Sequence, residues 1–201
     1  MKHFFTIAAL IFLASCGGSD DKKVSTTTEN EDGSRTKTDV SVKGIQTKAD
    51  ELNAKLDALK KLTPLTIEQM KTMLPEEFEG VKRSNYNAAS NFGYTFVGAE
   101  YEKNNKTQLD VKLYDCAGEN GAIFYSSTFW SNMDFQQEDD KEYTKSVDFM
   151  GGRAIERFNK ERNETTITYL VNDRVLVTLD GRNMNPDEVK AAAQKLNFKI
   201  S

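Results

Sequence analysis

The chain has 201 residues, a net charge of −4 at pH 7 and one histidine, His3. Its balance of charge is mildly acidic, which does not suit the binding of phosphate backbones, so no nucleic-acid partner is expected. The length accommodates one folded domain with a tail.

The first element is Met1-Lys2-His3 followed by the apolar run Phe4 to Leu13. A charged start, a short apolar segment and small residues before a cut site make a secretory signal. The run falls short of the roughly 20 residues needed to span a bilayer, and Gly17-Gly18-Ser19-Asp20-Asp21 follows it. Leu13-Ala14-Ser15-Cys16 resembles the lipobox of bacterial lipoproteins. That resemblance implies removal of residues 1–15, lipid (palmitate among its chains) on Cys16, and anchoring in the cell envelope, with the outer membrane expected. Two or more acyl chains anchor stably, at about 0.8 kcal/mol per buried methylene. Ser19-Asp20-Asp21 resembles the acidic export signal behind the lipidated cysteine in surface lipoproteins of the Bacteroidota; a periplasm-facing anchor is the other reading.

Cleavage would remove His3 and leave the mature chain without histidine. Ser-His-Asp triads, Cys-His dyads and histidine-ligated metal sites are then excluded. No catalytic residue, metal site or cofactor is expected. With Cys16 lipidated, Cys116 stands alone and no internal disulfide can form. It ends an apolar-alternating run and reads as a small, buried, inert side chain, because reactivity needs a lowered pKa and no histidine is left to activate it.

Residues 16–44 read as the lipidated cysteine and a flexible tether. Ser, Thr, Gly and mixed charge predominate there, with Val24, Val40 and Val42 as the only large apolar residues, too few to offset the entropy of ordering. Residues 45–63 read as an amphipathic helix. Ile45, Ala49, Leu52, Leu56 and Leu59 form one stripe over Ile45 to Leu62, better suited to packing on its own domain than to a coiled coil of so few heptads.

Residues 64–201 read as an α+β domain. Thr66-Ile67-Glu68-Gln69 is a capping box opening a short helix, with Ile67, Met70, Met73 and Leu74 inward. From Val81 the period becomes two. Strands are expected at Phe96–Tyr101 and Leu109–Leu113, with Leu109, Val111 and Leu113 on one face and Asp110 and Lys112 on the other. Ala122 to Asn132 is expected to be helical. Strands follow at Tyr143–Phe149, Arg153–Phe158, Thr165–Val171 and Arg174–Leu179, closely spaced and therefore antiparallel. Asn185-Pro186-Asp187-Glu188 opens the last helix, with Val189, Ala192 and Leu196 inward. The expected fold is an antiparallel sheet of six to seven strands with packed helices, preceded by a disordered tether.

Few constellations carry chemistry. Gly118 to Gly121 lacks the Lys-Ser/Thr of a phosphate-binding loop. Glu138-Asp139-Asp140 lacks the spacing of a calcium loop. Asp115 and Asp180 can be imagined as an acid–base pair. Phe124-Tyr125-Ser126-Ser127-Thr128-Phe129-Trp130, with Met133 and Phe135, is a dense aromatic group on more than one helical face. Tyr125, Trp130 and Phe135, beside a loop expected at Met133 to Glu142, form the candidate partner or ligand surface.

The order helix, three strands, helix, four strands, helix over residues 66–200 resembles the PsbP-like fold, which some bacterial lipoproteins share. Met73-Leu74-Pro75-Glu76-Glu77-Phe78-Glu79-Gly80 is similar to the entry motif of lipoprotein domains of that sort. The resemblance implies a non-catalytic module that binds or assembles something, its partner an envelope protein or a small ligand. Two alternatives stand beside it: a histidine-free hydrolase or isomerase working with carboxylates, and a carrier of apolar ligands.

Overall fold

The computed structural model describes residues 23–29, 33, 35–41, 45–91, 93–196 and 198; for residues 23, 40, 41, 45, 46, 91, 129 and 130 it describes the backbone alone. Cys16 and the signal segment lie outside the described residues. No described helix is long and apolar enough to cross a membrane.

Strict alternation builds the centre of the molecule. In Gln108–Asp115 (β7), Leu109, Val111 and Leu113 are buried, while Asp110 and Lys112 between them are half-exposed. Tyr94–Glu102 (β6), Glu164–Val171 (β11) and Val175–Arg182 (β12) bury residues of the same core. The other strands of the main sheet are Lys23–Glu29 (β1), Arg35–Ser41 (β2), Ser84–Asn91 (β5), Phe135–Glu138 (β8), Glu142–Phe149 (β9) and Gly152–Asn159 (β10). Among the described residues the sheet has ten strands in the order β1-β2-β8-β9-β10-β11-β12-β7-β6-β5, each antiparallel to its neighbours. Glu77–Phe78 (β3) and Val81–Lys82 (β4) form a separate two-stranded ribbon.

Helices cover the sheet unequally. Ile67–Lys71 (α2) and Pro186–Leu196 (α4) join the main core, where Met70, Val97, Val111, Ile167, Val177, Leu179 and Val189 are fully buried. The predicted caps are present. Thr66 Oγ1 accepts from Gln69 N (3.2 Å) and Gln69 Oε1 from Thr66 N (2.9 Å). Asn185 Oδ1 accepts from the amides of Asp187 and Glu188, and Glu188 Oε2 accepts from Asn185 N at 2.8 Å. The approach of α4 to β12 needs a glycine: a Cβ on Gly181 would stand 2.4 Å from Val189 Cγ2. On the opposite face, Ile45–Lys60 (α1) and Ala122–Ser126 (α3) cover a smaller cluster of Leu59, Cys116, Ala122 and Leu176. Thus α1 packs on its own domain.

The structure departs from expectation in four places. The sheet has ten strands, not six or seven. Two of the added strands, β1 and β2, fall within the segment expected to be tether. That expectation weighed only core burial; an added hairpin is held by backbone pairing, and Thr26, Thr28, Thr36 and Thr38 supply the β-branched side chains that strands favour. Lys37 to Val40 of β2 pair with Phe135 to Glu138, so the loop expected at Met133 to Glu142 contains β8. Finally, the helix expected over Ala122 to Asn132 stops at Ser126 and resumes as a 3-10 turn, Phe129–Asn132. The Ser126, Ser127, Thr128 and Ser131 hydroxyls each donate to the carbonyl three residues back, at 2.6–2.7 Å. Such back-bonding competes with the helical ladder.

Candidate functional site

The structure places Tyr125 on α3 and Phe135 on β8. Tyr125 is half-buried on α3, against the cluster around Leu59 and Cys116. Burial, with Asp173 and Cys116 adding, raises its phenol pKa. Trp130 contributes its backbone to the 3-10 turn, and its side chain lies outside the described residues. Phe135 is half-buried at the start of β8, where its amide donates to Ser146 Oγ at 2.9 Å.

Tyr125 borders a groove of about 580 Å³ at one end of the sheet. Ser131 and Asn132 of the 3-10 turn continue its wall, Phe149 and Leu170 contribute apolar surface, and the β9–β10 and β11–β12 tips complete it. At the first tip Met150 and Gly151 both have positive φ (50° and 79°), as a two-residue turn between twisted strands requires. Met150 stands 49% exposed there. Arg153 fixes the wall: its Nε donates to Ser131 O (3.0 Å), Nη1 to Asp148 (2.8 Å) and Nη2 to Asp134 (3.0 Å). A smaller recess of about 290 Å³ shares Tyr125 and Asn132 and is bordered by Lys48, Glu51 and Leu52 of α1.

The imagined pair of Asp115 and Asp180 does not form. Asp115 lies opposite Val175 and Asp180 opposite Asp110, five residues apart along the ladder, or roughly 17 Å. They also face opposite sides of the sheet. Asp115 is fully buried and accepts from Arg174 Nε (2.9 Å), Arg174 Nη2 (3.0 Å), Leu65 N (2.6 Å) and Ala117 N (3.2 Å). The bonds to Asp115, with burial opposing, raise the Arg174 pKa further. Asp180 accepts from Lys112 (2.8 Å) and Thr166 (2.7 Å). It shares a cross-strand row with Asp110 and Glu100, and Asp110 is held above its ordinary pKa chiefly by burial, with those two carboxylates adding. Cys116 is fully buried, and burial pushes its thiol up to about 12. Among the described residues, no three His, Cys, Asp or Glu side chains gather as a metal site.

Two groups escaped the sequence reading. Glu156, 1% exposed, accepts from Tyr143 OH at 2.8 Å and pairs with Lys145 (3.3 Å) and Lys190 (2.6 Å). Burial opposes its ionisation, but the bonds from Lys190 and Tyr143 outweigh it and hold the carboxyl below its ordinary range. The second group is an aromatic ladder on the α3 face. Phe124 stacks on Tyr114 (4.7 Å between centroids) and meets Tyr94 edge-on (5.0 Å), while Phe96 lies 4.8 Å from Tyr114. Cross-strand register sets Phe96 beside Tyr114, and the packing of α3 lays Phe124 on Tyr114 and Tyr94; the available signal was Phe96 and Tyr114, each on the half-wet face of its strand.

Comparison with family models, with curated proteins and with solved structures finds no match for this chain.

Proposed function

We propose that this chain is a lipid-anchored protein of the bacterial cell envelope, of the outer membrane on its surface or periplasmic face, and that it acts as a non-catalytic binding or interaction module. The anchor rests on the lipobox-like Leu13-Ala14-Ser15-Cys16. The binding role rests on the groove beside Tyr125, where aromatic, amide and exposed thioether groups converge on about 580 Å³ between two hairpin tips and the 3-10 turn. That volume lies within the range of ligand clefts. The partner is an envelope protein or a small ligand that this surface fits. With the β3–β4 ribbon, the 3-10 turn and the short β8 set aside as additions, the order α2, β5 to β7, α3, β9 to β12, α4 is the support for reading residues 66–200 as PsbP-like.

The test separates anchor from groove. Cys16→Ser should leave an unprocessed or soluble chain; continued membrane partitioning after cleavage at the same place refutes the anchor. Crosslinking in intact cells, followed by mass spectrometry, should identify a partner attached near residues 125–132 and 150–153. Met150→Asp and Trp130→Ala should remove that adduct while fractionation and melting stay as in the parent. An adduct that survives both substitutions refutes the groove as the binding surface.

A further inference from the structure

We propose that the outer edge of β1 is a contact between copies of this chain, at which a second copy adds its own β1 antiparallel across a two-fold axis at Thr26. β1 ends the ten-strand order, so among the described residues no strand lies on its outer side. Alternate residues of a strand aim their N–H and C=O groups at opposite neighbours, so about half of those on β1 face away from β2. An edge of that kind is a template for a further strand.

The two edges of the sheet differ. At the far edge, β5 slips register between Ser84 and Asn87, and Asn85 there has a φ of 45°. An irregularity of this sort spoils an edge for pairing. β1 has no such device. All of it pairs with β2 in unbroken register, from Lys23 opposite Ser41 to Glu29 opposite Arg35. No proline, glycine or charge falls from Val24 to Thr28, and Val24, Thr26, Thr27 and Thr28 are β-branched, as strands favour. Val24 is 42% exposed. A filament would need β1 of one copy on β5 of the next, which the irregular edge opposes. Pairing of like edges closes on itself.

Charge selects the partner and the direction. Antiparallel pairing about Thr26 sets Lys23 of each copy opposite Glu29 of the other, Val24 opposite Thr28 and Ser25 opposite Thr27. Glu29, which has Arg35 opposite it on β2, then has a cation at the register position on either side. Parallel pairing in register would oppose Lys23 to Lys23 and Glu29 to Glu29, which is destabilising. One strand pair makes a small seam beside the interfaces of stable complexes, so the dimer is a weak one that forms where copies are concentrated. It rests on neither the anchor nor the groove proposed above.

Cells making the full-length chain with Thr26→Cys are oxidised mildly, and the products are mapped by mass spectrometry. At the two-fold axis, position 26 meets its own copy within disulfide reach, so a dimer linked through position 26 of both copies should form. Thr28→Cys should link at least about tenfold less, because its two copies stand roughly 14 Å apart along the seam. Sedimentation of the detergent-solubilised chain should show a dimer that grows with concentration. Lys23→Glu and Glu29→Lys should each weaken it about tenfold. An equimolar mixture of the two variants should restore it, since each strand then meets the opposite charge at both ends. A chain that stays monomeric, a link from Thr28→Cys as strong as that from Thr26→Cys, or a mixture no better than its components overturns the proposal. So does position 26 linked to another protein or to another segment of its own chain. The pattern of links remains decisive if a charge variant fails to fold.

Discussion

Replacing Asp115 by alanine tests whether the molecule is stapled where three segments meet. The carboxylate is fully buried and takes two bonds from Arg174 and one each from the amides of Leu65 and Ala117. Arg174 also donates to Thr63 O at 2.8 Å, so the cluster ties the ends of β7 and β12 to the α1–α2 connection. Removing the acceptor leaves a guanidinium and two amides facing a low-dielectric space. Breaking one side of a buried pair costs about 3–5 kcal/mol. For a chain of this size, each kcal/mol moves the melting midpoint by about 2–4 °C, so Asp115→Ala should melt about 6–20 °C lower. Urea unfolding with an unchanged slope would assign the loss to stability. The double variant Asp115→Ala with Arg174→Met should recover part of it, because no unpaired charge is left behind. A loss below about 1 kcal/mol in the single variant, or an additive loss in the double, would refute this account.

Glu156 carries a pH prediction. Its folded pKa is depressed, so its stabilisation is present above the unfolded carboxyl value of about 4.3 and is lost as pH falls through the lower folded value. Melting midpoints of the parent should therefore fall more steeply below about pH 5 than those of Glu156→Gln, and parallel curves would disprove it. Cys116, buried and pushed up to about 12, should resist iodoacetamide at pH 8 in the folded chain and react on unfolding, as intact mass would show. Gly181→Ala should destabilise by about 1–3 kcal/mol through overpacking against Val189, read from urea midpoints. Deleting residues 23–41 should cost only about 1–2 kcal/mol, since four largely polar cross-strand pairs join β2 to β8; a much larger fall by calorimetry would show that the hairpin supports the core.

What was legible in the sequence was local. Leu109, Val111 and Leu113 alternate with Asp110 and Lys112, and that pattern alone sets the faces of β7. Thr66 with Gln69 and Asn185 with Glu188 announce their helix starts, because a cap is a contact between residues three apart. What was not legible depended on partners distant in sequence. Asp115 meets Arg174 across 59 positions, and Glu156 meets Lys190 only once β10 lies under α4. The early end of α3 was written in Ser126, Ser127 and Thr128, but their effect depends on hydroxyls turning back to the helix rather than out to water. At the candidate site, the sequence placed Tyr125 on a helix expected to run to Asn132; it could not supply Met150 and Asp173, which arrive on two hairpin tips.

The β1–β2 hairpin changes how a lipid anchor would present this domain. A flexible coil over residues 17–44 would span roughly 30 Å on average and leave the domain free to tumble. With β1 beginning at Lys23, only seven positions separate it from Cys16, a reach of at most about 25 Å even when fully extended. Under the proposed anchoring, the β1 edge is therefore the membrane-proximal edge. The sheet then becomes the spacer. Nine strand intervals separate β1 from β5, which at about 4.8 Å each is roughly 43 Å measured across the strands. The groove beside Tyr125, at the β9–β10 tip, lies about halfway along this span. Distance from the bilayer would then come from ordered strands as well as from the linking residues. The polar β2–β8 seam, and not the hydrophobic core, would carry the load between anchor and domain.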